Sequence, residues 1–178
     1  MYLYLHLDGI LASEGVNNIM SRIGVFVDVS SCYYNINKKW PGRKLNYEAF
    51  LYKAKEQGSE LARVIAYGTQ IEDGARKFIS CLNLLGFEPK YKTVERNQWY
   101  SWDVGMTVDM VRNHEKLDTI IIGNSNRHMV PIVEYLQEKG CKTIIIACGI
   151  PRELRECCFK WFEITEDMLE EAKEEVTI

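Results

Sequence analysis

Short apolar runs rich in β-branched residues alternate along the chain with segments whose apolar positions repeat at about the helical period. The runs that predict strands are Ile23 to Val29, Leu61 to Tyr67, Phe87 to Val94, Thr119 to Ile122 and Thr143 to Ala147, with a shorter one at Phe159 to Ile164. The segments that predict helices are Tyr47 to Gln57, Asp73 to Leu85, Val104 to His114 and Met129 to Lys139. Strands that alternate with helices are typical of a parallel sheet with crossover helices, so the pattern predicts four βα units in series.

The chain has 178 residues, which is enough for one ordinary hydrophobic core. We expect the domain to occupy residues 20–164. Residues 1–19 are either a leader or an extra strand, and residues 165–178 are expected to form an acidic C-terminal helix from Glu166. Right-handed crossovers would bring the carboxyl ends of the strands to one edge of the sheet, where open α/β folds carry their sites.

Charge and cysteine content narrow the function only a little. The formal net charge is −3, and seven carboxylates lie from Glu163 onward against one lysine, so the rest of the chain is mildly basic. That balance is compatible with a nucleic-acid partner but is equally usual in proteins that bind none. Six cysteines without a CxxC pair favour reduced thiols and a cytoplasmic location. The apolar start of the chain, MYLYLHLDGIL, is too short to span a bilayer, so we expect no membrane partner.

Three aspartates are candidates for chemistry. Asp28 ends a buried apolar strand, where a carboxylate is costly unless it caps a helix or binds a metal, and both alternatives stay open. Asp103 and Asp109 are six residues apart on a predicted helix, about 120° from facing each other, yet both can border one pocket. For Asp103 the alternative role is a helix cap. For Asp109 the alternative role is a solvated surface position. The apolar neighbours of Asp109 make that alternative weaker.

The turn Gly123-Asn124-Ser125-Asn126 follows the strand that ends at Ile122. It offers backbone amides and short polar side chains at a strand-to-helix junction. These groups suit a helix cap, or a site for an anion or a metal.

The order of these pieces resembles the NYN family of PIN-like ribonucleases. A strand-end aspartate, the helix W-D-V-G-M-T-V-D-M and the stretch D-T-I-I-I-G-N-S-N-R-H-M-V-P-I-V-E-Y-L-Q-E-K-G match the family pattern of a strand-end Asp, a G-V-D-V...D helix and an S-G-D-x-D-F turn before P-L-V. The similarity covers about residues 22–148 and is strongest from Asp118 to Gly140.

The resemblance implies a three-layer, Rossmann-like (PIN-like) α/β domain with a central, mostly parallel sheet. It also implies an acidic pocket that holds Mg²⁺ or Mn²⁺ and hydrolyses RNA phosphodiesters. Clustered carboxylates bind such cations, which activate water and stabilise charge on the phosphate. On matching positions the expected catalytic residues are Asp28, Asp103, Asp109, Asn124 and Asn126, the first four also being the expected metal ligands.

Departures from the family pattern leave the activity open. Asn124 and Asn126 stand where the family has aspartates, so the loss of charge should weaken cation binding. Arg127 replaces the phenylalanine of the family turn, and Tyr100 or Ser101 replaces its lysine before the helix. The sequence therefore supports two hypotheses. One is a metal-dependent endoribonuclease with a partly degenerate site, and the other is a catalytically inactive RNA-binding or scaffold protein with the same fold. A nucleotide-binding domain is disfavoured because no GxGxxG or GxxxxGK[ST] loop occurs.

Basic and aromatic residues suggest an RNA surface. Cations hold phosphates and aromatic rings stack on unpaired bases, which favours single-stranded or looped RNA. The expected RNA-binding residues are Ser30, Ser31, Lys38, Lys39, Arg43, Lys44 and Arg127, near the aromatic Trp40, Trp99, Tyr100 and Trp102. The apolar segment Tyr2 to Leu7 and the acidic tail are candidate contacts for a homodimer.

Overall fold

The computed structural model describes residues 21–71, 75–95 and 100–172. The strands are β1 (Arg22–Asp28), β2 (Arg43–Leu45), β3 (Glu60–Ile71), β4 (Glu88–Val94), β5 (Thr119–Gly123), β6 (Lys142–Ala147), β7 (Lys160–Glu163) and β8 (Leu169–Glu171). The helices are α1 (Val29–Lys39), α2 (Tyr47–Lys55), α3 (Arg76–Leu84), α4 (Asp103–Asn113), α5 (Val130–Glu138) and α6 (Arg152–Cys157). Over the described residues, no helix is long and apolar enough to cross a membrane.

Six strands form one parallel sheet in the order β4-β3-β1-β5-β6-β7. Both faces of its centre are covered. Val25 and Val27 of β1 point into one apolar cluster and Phe26 into the other. Burial on both faces explains why the central strands are continuous apolar runs rather than alternating ones. The predicted α/β fold with a parallel sheet flanked by helices is confirmed.

The direction of strand order reverses beside β1. From β1 the chain builds outward through β3 and β4, then returns to the other side of β1 with β5 and continues to β6 and β7. In open parallel sheets, a crevice forms at the carboxyl ends of the strands where this reversal occurs. Here it lies between the ends of β1 and β5.

The first helix was not predicted. The expected RNA-binding residues Lys38 and Lys39 end α1, while Arg43 and Lys44 belong to β2. Only Cys32 and Ile36 are buried in α1, too few to produce a recognisable helical period.

The expected acidic helix is also corrected. Residues 166–168 form a 3₁₀ turn and Leu169–Glu171 form β8, which pairs antiparallel with β2. The extended backbone lets Leu169 pack into the core while Glu170 faces solvent and pairs with Lys44 at 3.2 Å. Residues 1–20 and 173–178, including the candidate dimer segment Tyr2 to Leu7, lie outside the described residues.

Candidate functional site

A polar cleft opens at the carboxyl ends of β1 and β5. Its walls come from the start of α1, the segment before and at the start of α4, the turn after β5 and the turn after β6. Four of the five expected catalytic residues line it, namely Asp28, Asp103, Asn124 and Asn126. The position agrees with the crevice that the strand order produces.

Asp28 ends β1 and caps α1. Its Oδ1 accepts a hydrogen bond from the backbone N–H of Ser31 at 2.9 Å, so the capping role is realised. The residue is only 7% exposed. Burial raises the pKa of the Asp28 carboxyl, the Ser31 backbone N–H opposes that rise, and the nearby charge of Asp103 adds to it. Burial therefore destabilises the ionised form of Asp28, and the backbone hydrogen bonds partly offset that cost.

Asp103 is the first residue of α4, and two asparagine amides contact its carboxylate. Asn124 Nδ2 donates to Asp103 Oδ1 at 3.1 Å, and Asn126 Nδ2 donates to Asp103 Oδ2 at 2.7 Å. The same Asn124 nitrogen lies 3.4 Å from Asp28 Oδ2. The amide of Asn124, a residue that is only 1% exposed, thus bridges the two carboxylates of the cleft.

The orientation of both amides is fixed by backbone donors. Asn124 Oδ1 accepts the backbone N–H of Asn126 at 2.8 Å, and Asn126 Oδ1 accepts the backbone N–H of His128 at 3.1 Å. A backbone N–H can only donate, so the side-chain oxygens must face these groups and the NH₂ groups must face the carboxylates.

This donor set does not match the expected divalent-cation site. Mg²⁺ and Mn²⁺ require oxygen ligands, but Asn124 presents its NH₂ group to the aspartates and uses its oxygen for the turn. Across the part of the chain that the structure describes, no three acidic, histidine or cysteine side chains form a metal-ligand group. The expected contribution of a carbonyl oxygen from Asn124 is therefore not found.

Asp109 lies outside the cleft. Its Oδ2 accepts hydrogen bonds from the Tyr67 hydroxyl at 2.8 Å and from Lys90 Nζ at 2.7 Å, and it does not line the crevice. Burial tends to raise the pKa of Asp109, but the hydrogen bonds from Lys90 and Tyr67 outweigh it and the pKa is lowered. The prediction that Asp109 borders the same pocket is corrected, because this carboxylate anchors α4 to β3 and β4.

The expected RNA-binding residues divide into two groups. Ser30, Ser31 and Arg127 line the cleft. The other four, Lys38, Lys39, Arg43 and Lys44, do not line it and lie at the end of α1 and in β2. There the Lys39 ammonium lies 4.2 Å from the Trp40 ring centroid, and Arg43 Nη2 donates to the backbone oxygen of Leu169 at 3.5 Å.

Two of the tryptophans also have structural partners. Trp40 Nε1 donates to Glu166 at 2.9 Å, and Trp102 Nε1 donates to the backbone oxygen of Gly68 at 2.8 Å. Trp99 lies outside the described residues. Of the expected aromatic residues, Tyr100 lines the cleft, together with Tyr34.

Sequence reasoning missed Tyr34 and Asn35. Asn35 Nδ2 donates to the backbone oxygen of Ser31 at 3.0 Å and to Ser125 Oγ at 3.1 Å, joining α1 to the turn after β5. Once α1 is known to be a helix, Asn35 lies one turn beyond Ser31, so the four-residue spacing places both on the cleft side. That spacing carried no signal because the helix itself was not predicted.

The fold and the cleft define the class of protein: a parallel α/β domain with two carboxylates and two amides at the reversal of strand order. The family model described as the NYN domain matches residues 22–165, and the chain belongs to this family. The NYN domain is a PIN-like nuclease family whose members are typically ribonucleases.

The fold is shared with a solved structure. A crystal structure of VPA0982, a protein of unknown function from Vibrio parahaemolyticus, superposes with a TM-score of 0.77 at 24% sequence identity. The alignment covers 85% of this chain and 97% of that chain. At this identity the likeness shows the fold alone. A search of curated proteins finds no match.

Proposed function

We propose that this protein binds single-stranded RNA in the cleft at the carboxyl ends of β1 and β5. The observation that carries the proposal is the combination, in the cleft of an NYN domain, of one exposed cation with two tyrosine rings: Arg127, Tyr34 and Tyr100. Membership of a nuclease family makes nucleic acid the expected class of ligand.

The tyrosines are suited to unpaired bases. Tyr34 is 68% exposed, so one face of its ring is open to stacking. The Lys92 ammonium lies 4.4 Å from the ring centroid of Tyr100, which places a positive charge beside an aromatic surface. Bases inside a duplex have no free face for such rings, so these contacts favour single strands or loops.

Hydroxyl and amide groups along the cleft would favour RNA over DNA. Ser30, Ser31 and Asn35 provide donors and acceptors on α1. The ribose 2′-hydroxyl both donates and accepts hydrogen bonds, and DNA lacks it. The carboxylates deeper in the cleft repel phosphate groups, so the phosphate backbone would lie away from them. Arg127, on the wall opposite α1, would contact that backbone.

Binding of a labelled mixed-sequence single-stranded RNA, measured by fluorescence anisotropy in EDTA, tests the proposal. Tyr34→Ala should weaken binding about tenfold, since one stacked base is worth roughly 1–3 kcal/mol. Arg127→Ala should also weaken binding, because a phosphate contact is lost. Duplex RNA of the same sequence should bind more weakly.

Two control variants match these changes away from the cleft. Tyr52→Ala removes a tyrosine that is 70% exposed on α2, and Lys116→Ala removes an exposed positive charge just before the amino end of β5. Both should bind RNA like the parent. If Tyr34→Ala and Arg127→Ala also bind like the parent, RNA does not use this cleft.

A second candidate function is metal-dependent endonucleolytic cleavage of the same RNA, as the family membership suggests. One observation favours it: Asp28 and Asp103 lie in the same cleft, and a single amide nitrogen reaches both. Incubation with Mg²⁺ or Mn²⁺, beside Asp28→Ala and an EDTA control, distinguishes the two. Cutting by the parent that Asp28→Ala abolishes would establish the nuclease, whereas binding without cutting supports the first candidate.

A further inference from the structure

The two asparagines of the turn after β5 donate hydrogen bonds to both carboxylates of the cleft. Asn124 uses both N–H bonds of its NH₂ group, one toward Asp28 and one toward Asp103, at 3.4 and 3.1 Å. Asn126 gives Asp103 a further donor at 2.7 Å. Each carboxylate therefore has a hydrogen-bond donor where a cleft built from acids alone would require a cation.

The turn leaves neither asparagine free to reverse its amide. If Asn124 turned its oxygen toward the aspartates, its NH₂ group would face the backbone N–H of Asn126, and two donors would meet. The Ser31 hydroxyl, 3.3 Å from the same Oδ1, would also lose its acceptor. The arrangement is thus held from both sides, by the turn and by the carboxylates.

We propose that the amides of Asn124 and Asn126 take the place of the divalent cation, so that the cleft is assembled and binds RNA without one and does not cleave it. The RNA-binding part of this inference rests on the proposed function above. The geometric part concerns only how two neighbouring carboxylates are held together, and it stands on contacts among Asp28, Asp103 and the two asparagines.

Replacing one atom makes the inference testable. Asn124→Asp keeps Oδ1 as the acceptor for the Asn126 backbone N–H. Its second oxygen, however, places a third carboxylate next to Asp28 and Asp103, and like charges repel. A cation would relieve that repulsion, since Mg²⁺ and Mn²⁺ bind through clustered carboxylates. The variant should therefore depend on a cation that the parent does not need.

The experiment is thermal unfolding of the full chain at neutral pH in EDTA and in millimolar Mg²⁺ or Mn²⁺. We expect the parent midpoint to be the same in both. Asn124→Asp should unfold at least about 5 °C lower in EDTA and recover with the cation. Asn83→Asp makes the same chemical change at an exposed position on α3 and should show neither effect.

Either of two results would overturn the inference. In one, the cation raises the unfolding midpoint of the parent by more than it raises that of Asn83→Asp. In the other, the cation leaves the midpoint of Asn124→Asp unchanged. If Asn124→Asp does not fold, calorimetric titration of the parent with Mn²⁺ still decides, because saturable binding would contradict the inference. RNA binding by the parent in EDTA is measured separately. Its absence would refute the proposed function while leaving the cation result intact.

Discussion

Replacing Asp109 by alanine should lower stability while leaving RNA binding unchanged. The structure places this carboxylate between α4 and the strands β3 and β4, with Tyr67 and Lys90 as donors. Its loss removes a tie across the sheet rather than a group in the cleft. The same substitution at Asp103, which lines the cleft, should affect RNA binding.

The size of the effect follows from the two donors. Tyr67 is fully buried, so its hydroxyl would be left without an acceptor, which costs about 1–3 kcal/mol. The Lys90 side chain is 32% exposed and regains water when the ion pair is lost, so that contact adds at most about 1 kcal/mol. A total of about 1–4 kcal/mol corresponds to a fall in the unfolding midpoint of roughly 2–16 °C for a chain of this length.

A double-mutant cycle measures this directly. Urea unfolding of the parent, Asp109→Ala, Tyr67→Phe and the double variant should show that Asp109→Ala costs about 1–2 kcal/mol less when Tyr67 is already phenylalanine. Glu115→Ala, which removes an exposed carboxylate after α4, is the control and should be near neutral. An Asp109→Ala variant of unchanged stability that no longer binds RNA would refute our placement of this residue.

Two further predictions concern packing and pH. A Cβ at Gly123 would lie 2.3 Å from Val27 Cγ2 and 3.2 Å from Val27 Cα, so Gly123→Ala should lose about 1–3 kcal/mol in urea unfolding. Gly68→Ala, whose Cβ would meet nothing closer than 3.7 Å, should be near neutral, and equal effects at the two glycines would contradict the packing described. The lowered pKa of Asp109 means that its ionised form stabilises the fold above the pKa of the unfolded chain, and that this contribution is lost as pH falls through the lower folded-state pKa. The difference in free energy of unfolding between the parent and Asp109→Asn should therefore stay constant from neutral pH to about pH 5 and shrink below about pH 4, and a difference that grew on acidification would refute the assignment.

The central strands β1, β5 and β6 could be predicted from sequence because they are buried on both faces. The apolar runs that predicted β1, β3, β4, β5 and β6 correspond to strands in the structure, with ends shifted by a few residues at most. The helix α1 could not be predicted, because its formation depends on the Asp28 cap and on contacts made by Cys32 and Ile36 rather than on an apolar stripe. Because α1 was not predicted, Tyr34 and Asn35 were not recognised as cleft residues.

The site was only partly readable for a related reason. Each of the four cleft residues lies within a few positions of the end of a predicted strand or the start of a predicted helix, and the strand order brings them together. They are Asp28, Asp103, Asn124 and Asn126. The hydrogen-bond partners of Asp109 are 42 and 19 residues away along the chain, so the local sequence does not reveal them. Its apolar neighbours alone suggested a functional position. The direction of the Asn124 amide was equally hidden, because it depends on which backbone N–H lies beside it in the folded turn.

The pairing of β2 with β8 bears on how shortened versions of this protein should be designed. The family match ends at residue 165, but the fold continues, since Met168 and Leu169 pack in the same core as Leu45. A chain cut at the family boundary would leave an apolar hollow and an unpaired strand edge at its surface, both of which promote aggregation. The backbone N–H of Ala172 still bonds to the oxygen of Gly42 at 2.9 Å, so a minimal version should extend at least that far.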